Sequence, residues 1–112
     1  MKLAHLSLGV TDLEQSERFY RDVLGLPAVR EGDEVFVRWP EFLLVLTPRP
    51  PADRSKFHFG FEVPSFDDVD AWAERLRGAG AQIVAGPATD ENMRQLFFLD
   101  PDHYEIEIFS ER

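Results

Sequence analysis

Apolar and polar residues alternate through the last segment of the chain, which reads Tyr104, Glu105, Ile106, Glu107 and Ile108. Alternation with a period of two is typical of a β-strand that buries one face. Both glutamates then lie on the face opposite the isoleucines. Because charged side chains need water or a binding partner, this face is either exposed to solvent or part of a functional site.

Two other segments, residues 3–10 and 56–63, alternate in the same way, and each contains one histidine. Aligning His58 with His5 without gaps also brings the helical patterns that follow, and the glycines that end them, into register. Each half of the chain is therefore predicted to contain a strand, a helix and three further strands, as an internal repeat.

The predicted helices carry start and stop signals. Thr11 or Asp12 begins the first helix and Ser65 begins the second, since each is followed by a carboxylate or amide residue at capping-box spacing. Gly25 and Gly78 end the two helices. The apolar residues of each helix follow a single stripe, so both helices are predicted to pack on a sheet.

Residues 42–47 are apolar on both faces, which predicts a strand buried on both faces, or buried on one and facing an apolar cavity on the other.

The Pro-rich polar residues 48–55 are predicted as a linker between a module of about residues 1–49 and a module of about residues 56–112. In the second module, residues 86–91 are predicted as a break and a loop. At 112 residues, both modules are expected to form one domain.

Composition excludes several classes of protein. With 44% hydrophobic residues, no stretch long enough to span a membrane and no signal peptide before the first strand, the chain is predicted to be cytoplasmic. The net charge of −9 disfavours binding to nucleic acid, which depends on Lys and Arg at phosphates. The chain has no cysteine, so any metal must be held by histidine, carboxylate and substrate oxygen.

Two neutral imidazoles and one carboxylate form a set of ligands that leaves a divalent metal with open positions for substrate. His5, His58 and one of the C-terminal glutamates supply one such set. A single histidine on a strand is more often structural, but two histidines at equivalent points of a repeat favour a site.

Several motifs carry a family resemblance: the strand with His5, residues 10–14, residues 19–26, residues 58–61, residues 98–102 and residues 106–107. In these motifs the whole chain resembles the vicinal oxygen chelate superfamily, which includes glyoxalase I, fosfomycin-resistance proteins, bleomycin-resistance proteins and extradiol dioxygenases. The resemblance implies an α+β fold of two βαβββ modules. It also implies one divalent ion, whether nickel, zinc, manganese, iron or magnesium, that binds two neighbouring oxygens of a small-molecule substrate. Carried over residue by residue, the metal ligands fall on His5, His58 and Glu107.

Three departures bear on the subfamily. Val45 stands where glyoxalase I has a fourth, carboxylate ligand, which disfavours glyoxalase I proper. No lysine follows Lys56, which disfavours a fosfomycin-resistance protein, although Ser7 matches a hydroxyl position of that group. His103 and Tyr104 replace the usual Gly-Asn of a turn, and a histidine can adopt the left-handed conformation there.

Further site predictions concern the residues around the metal ligands. Glu62 shares a face with His58 and is predicted to orient its imidazole or to act as a general base, with a solvated strand end as the alternative. Glu107 is predicted to act in catalysis as well as in metal binding. The substrate pocket is assigned to Ser7, Phe36, Val45, Glu105 and Phe109.

Together these features favour a metal-dependent enzyme with lyase, isomerase or dioxygenase chemistry. The alternative is a protein that binds an aromatic or antibiotic-like molecule without chemistry, as bleomycin-resistance proteins do without the metal ligands. A ring-cleaving dioxygenase usually needs another pocket histidine, and only His103 remains. Because curled sheets of this size leave open edges, a homodimer is predicted, and it stays open whether His5 belongs to the same chain as His58 and Glu107.

Overall fold

The computed structural model describes residues 1–53 and 57–112, and the chain divides into two compact units, Met1–Asp53 and Arg54–Arg112. The end of the predicted linker, Arg54 and Ser55, lies outside the described residues, as does Lys56, the first residue of the strand predicted to follow it.

Each unit consists of one four-stranded mixed sheet and one helical segment. The first unit contains β1 His5–Gly9, α1 Leu13–Arg18, β2 Ala28–Glu31, β3 Glu34–Arg38 and β4 Leu43–Thr47. The second unit contains β5 His58–Glu62, α2 Phe66–Gly78, β6 Ile83–Asp90, β7 Met93–Leu99 and β8 Glu105–Glu111. The strand orders, β1-β4-β3-β2 and β5-β8-β7-β6, are equivalent, with the first strand parallel to the last in both sheets. The predicted α+β fold of two βαβββ modules is confirmed.

Both helices begin at residues with capping spacing. Asp12, and not Thr11, caps α1, because its carboxylate accepts the backbone N–H of Gln15 at 3.0 Å. Ser65 caps α2 in the same way, accepting the N–H of Asp68 at 3.2 Å. Neither described helix is long and apolar enough to cross a membrane.

The first helix differs from the prediction in its second half. After α1 the chain continues as a π-helix over Phe19–Val23, in which the N–H of Leu24 donates to the carbonyl of Phe19 at 3.1 Å. The sequence pattern does not reveal this change, because Tyr20 and Leu24 of the predicted apolar stripe are both buried in the structure.

The predicted break at residues 86–91 is wrong, since β6 continues through it from Ile83 to Asp90. The pairing with β7 shifts register around Gly86 and Pro87, so the irregular residues are accommodated as bulges in the strand. Gly86 has φ +84, and a Cβ there would lie 2.5 Å from the carbonyl oxygen of Gln95. Because β6 is at the edge of its sheet, the missing N–H of proline is tolerated.

Each sheet packs one face against its own helix. In the second unit this face carries Leu96, Phe98, Ile106 and Ile108, which are buried with Val69, Ala73 and Leu76 of α2. In the first unit, β4 is buried on both faces as predicted, because Leu44, Val45, Leu46 and Thr47 are all buried. Along β8 of the second unit, Glu105 and Glu107 alternate with the buried Ile106 and Ile108. The two glutamates therefore lie on the face of the second sheet opposite α2.

A tight turn between β7 and β8 fixes the register of these two strands. The carboxylate of Asp100 accepts the N–H groups of Asp102 and Tyr104, each at 2.9 Å. His103 is exposed and takes the left-handed conformation with φ +67, as predicted. The turn pairs Leu99 with Glu105, and thus places Phe97 opposite Glu107.

Candidate metal centre

The strands β5 and β8 bring the second histidine and the C-terminal glutamates onto one face. Their parallel register pairs His58 with Glu105, Gly60 with Glu107, and Glu62 with Phe109. Because alternate side chains of a strand point to the same side, all six residues belong to the face opposite α2.

The imidazole of His58 lies between two carboxylates. Its Nε2 is 3.4 Å from Oε1 of Glu107, and its Nδ1 is 3.9 Å from Oε2 of Glu105. Both distances are too long for hydrogen bonds. The side chain of Glu107 is 12% exposed, whereas those of Glu105 and His58 are 35% and 45% exposed, so Glu107 is the better-buried carboxylate.

The pair formed by His58 and Glu107 has the separation of two ligands of one metal ion. Ligands at about 2.1 Å from one ion lie roughly 3.0 Å apart at an octahedral angle and roughly 3.4 Å apart at a tetrahedral angle. The observed 3.4 Å between Nε2 and Oε1 falls in this range. A neutral imidazole and a carboxylate are also donors that borderline divalent ions accept, so these two residues fit a metal.

Gln95, on β7, was not identified from the sequence, although it contacts the best candidate ligand. Its side-chain Nε2 donates to Oε2 of Glu107 at 2.8 Å, in a partly buried position. The turn at Asp100 could have revealed this contact, because it fixes the pairing of Phe97 with Glu107. Gln95 then pairs with Phe109 and lies on the same face as Glu107.

Two further residues shape the surroundings of Glu107. A Cβ on Gly60 would lie 3.2 Å from Cβ of Glu107 and 3.4 Å from its Oε1, so a side chain at position 60 would press on the Glu107 side chain. The ring of Phe97 meets the His58 imidazole edge to face, with centroids 5.3 Å apart and planes at 87°. Phe97 thus packs against His58, and Gly60 leaves room beside Glu107.

The predicted site residues of the first unit share one face of the first sheet. His5 pairs with Leu43, and Ser7 pairs with Val45, which in turn pairs with Phe36 of β3. His5 and Ser7 are exposed, whereas Val45 is buried.

The structure thus brings together part of the predicted site. Glu105 and Glu107 flank His58, while Glu62 lies further along the same face, opposite Phe109. Among residues 1–53 and 57–112 there is no group of three His, Asp or Glu side chains arranged to hold a metal. The assignment of His5 as the third ligand, and the role of Glu62, stay predictions.

The sequence model of the Glyoxalase/Bleomycin resistance protein/Dioxygenase superfamily matches residues 2–108. The chain belongs to this superfamily. The predicted family is confirmed.

Relatives of known name include a manganese-dependent 2,3-dihydroxybiphenyl 1,2-dioxygenase from Geobacillus genomosp. 3, which is 31% identical over 96% of this chain. The chain spans only 36% of that dioxygenase. A lactoylglutathione lyase from Haemophilus influenzae is 26% identical over 100% of this chain and 94% of its own length. Among solved structures, a glyoxalase/bleomycin resistance protein from Albidiferax ferrireducens T118 matches with a TM-score of 0.84 at 24% identity, over 98% of both chains.

Proposed function

We propose that this superfamily member is a divalent-metal-dependent enzyme that acts on a small molecule with two neighbouring oxygens. The observation that carries the proposal is the separation of 3.4 Å between Nε2 of His58 and Oε1 of Glu107, on the open face of the second sheet. The two residues offer one neutral and one anionic donor, and both strands that carry them are fixed by regular pairing.

In this proposal His58, Glu107 and His5 hold the ion, and His5 comes from this chain or from a second copy in a homodimer. The chemistry supplied by a bound divalent ion is Lewis-acid polarisation of the two substrate oxygens. Three protein ligands leave room for both oxygens, and the apolar Val45 adds no fourth donor.

The remaining residues of the face prepare these ligands and meet the substrate. The carboxylate of Glu105 is 3.9 Å from Nδ1 of His58, so with the ion bound to Nε2 the ring proton on Nδ1 would face this carboxylate. Glu62 is exposed on the same face and is proposed as the proton acceptor for a substrate bound there.

The charge of the metal ligands and the apolar residues beside them limit the class of substrate. Glu107 cancels one of the two positive charges of a divalent ion, so a substrate with a single negative charge shared by neighbouring oxygens would make the ion and its ligands together neutral. Phe97 and Phe109 lie on the same face and are half-buried, so they offer apolar surface to the rest of the substrate. A hydroxyketone or a catechol with an apolar body has this chemistry, and the names of both relatives agree with a lyase or a dioxygenase.

The test compares tag-free protein with and without metal. After treatment with a chelator, the protein is reloaded with manganese, nickel or zinc and assayed for binding and conversion of catechols and α-hydroxyketones. We expect stoichiometric metal uptake and binding of these compounds only in the loaded protein. Equal binding of aromatic compounds with and without metal would instead favour a binding protein that performs no chemistry.

A further inference from the structure

The two oxygens of the Glu107 carboxylate have different neighbours. Oε2 accepts the side-chain N–H of Gln95 at 2.8 Å, while Oε1 is 3.4 Å from Nε2 of His58. The carboxylate is therefore held with one oxygen occupied and the other directed toward the imidazole.

We infer that Gln95 is a positioning residue that keeps Glu107 a one-oxygen ligand. The inference rests on the proposed metal site. A glutamate can bind a cation through one oxygen or through both. Because the hydrogen bond from Gln95 holds Oε2 toward β7 and leaves Oε1 toward the His58 imidazole, the ion would meet Oε1 first, and the position that a second glutamate oxygen would take would stay open for substrate.

The fold explains why a glutamine can perform this task. Gln95 pairs with Phe109 of β8, so it is the diagonal neighbour of Glu107 on the same face, within reach of a long side chain. The bond to the charged oxygen is partly buried, and hydrogen bonds to ionised groups are stronger than those between neutral groups. The amide is neutral, so it orients the carboxylate without altering the charge of the site.

The experiment removes the side-chain amide of Gln95 and measures how the bound metal is coordinated. In Gln95→Met the side chain keeps its length but loses the donor. Gln82→Met is the matched control, because Gln82 is exposed and precedes β6. Each protein is loaded with cobalt(II), and its visible absorption spectrum and its affinity for acetohydroxamate, a chelator with two neighbouring oxygens, are measured.

We expect Gln95→Met to bind cobalt with an altered visible spectrum, and to bind acetohydroxamate about tenfold more weakly than wild type, with Gln82→Met unchanged. If Gln95→Met does not fold, as judged by circular dichroism, Gln95→Asn is used, because its amide is one methylene too short to reach Oε2. A wild-type spectrum and wild-type acetohydroxamate affinity in a folded Gln95 variant would overturn the inference alone. Failure of the wild-type protein to bind cobalt would overturn the proposed function and, with it, the inference.

Discussion

Val45 and Glu107 occupy equivalent positions in the two sheets. Val45 pairs with Ser7, two residues after His5, and Glu107 pairs with Gly60, two residues after His58. The repeat therefore duplicates the histidine but keeps a carboxylate in only one copy. This difference between equivalent positions leaves the second sheet with the carboxylate donor and the first sheet with an apolar side chain.

Substituting Glu for Val45 should restore the missing carboxylate. Because Val45 is buried, the charged side chain should lower the thermal stability of the metal-free protein, and metal should raise the melting temperature more than it does in wild type. The ion should also be retained more strongly during dialysis and be less available to catechol-like chelators. Val45→Gln is the control, since it carries a similar shape without the charge. Equal metal retention in Val45→Glu and Val45→Gln would contradict the expectation.

Gly60→Ala should displace the Glu107 carboxylate, because the added Cβ would lie 3.2 Å from Cβ and 3.4 Å from Oε1 of Glu107. We expect metal affinity to fall by about tenfold with the fold retained, as measured by calorimetric titration with manganese. Gly78→Ala is the control, since nothing lies within 4 Å of a Cβ at that residue of α2. It should leave metal binding unchanged and stabilise the fold by about 0.5 kcal/mol in urea unfolding. An unchanged manganese affinity in Gly60→Ala would show that Glu107 is not a ligand, or that it adapts freely.

The two glutamates beside His58 should differ in their effect on metal binding. Glu107→Gln should weaken metal binding by more than about tenfold, because it removes the anionic oxygen 3.4 Å from Nε2. Glu105→Gln should change the affinity little, since that carboxylate is more exposed and lies on the Nδ1 side of the ring. The same titration applied to both variants measures the difference, and the reverse order of effects would contradict the assignment.

Ser16 offers a test of the fold that does not involve metal. Its hydroxyl is fully buried and has no hydrogen-bond partner among the described residues, so Ser16→Ala should raise the free energy of unfolding by about 1 kcal/mol. Ser65→Ala should have the opposite sign and lower it by about 1 kcal/mol, because it removes the cap of α2. Urea unfolding of both variants measures the two changes. A destabilised Ser16→Ala would show that the hydroxyl has a partner.

Local signals were sufficient to predict most of the fold. The alternation of Ile106 with Glu107, the cap at Ser65 and the turn at Asp100 each act within a few residues, and each is found in the structure. The π-helix at Phe19–Val23 was missed because it changes hydrogen bonding without changing which side chains are buried. The continuation of β6 is not evident from the sequence because glycine and proline usually interrupt a strand, whereas an edge strand accepts them with a shift of register.

The site was predicted less completely than the fold. The closeness of His58 and Glu107 is predictable because residue type and strand alternation are visible in the sequence. Gln95 and Gly60 were missed because their importance depends on which residue faces them across the sheet, and that depends on register. The register follows from the turn at Asp100, which pairs Leu99 with Glu105 and so sets every later pair of the two strands.

The central claim is that His58 is a ligand of one divalent ion per chain, and titration with manganese tests it most directly. Three tag-free proteins are compared by calorimetry: wild type, His58→Ala and His103→Asn. The last is the control, because His103 is an exposed turn residue in a left-handed conformation that asparagine also adopts. We predict one ion per chain in wild type and in His103→Asn, and no stoichiometric binding in a folded His58→Ala. Equal binding by wild type and His58→Ala, whether strong or weak, would contradict the account.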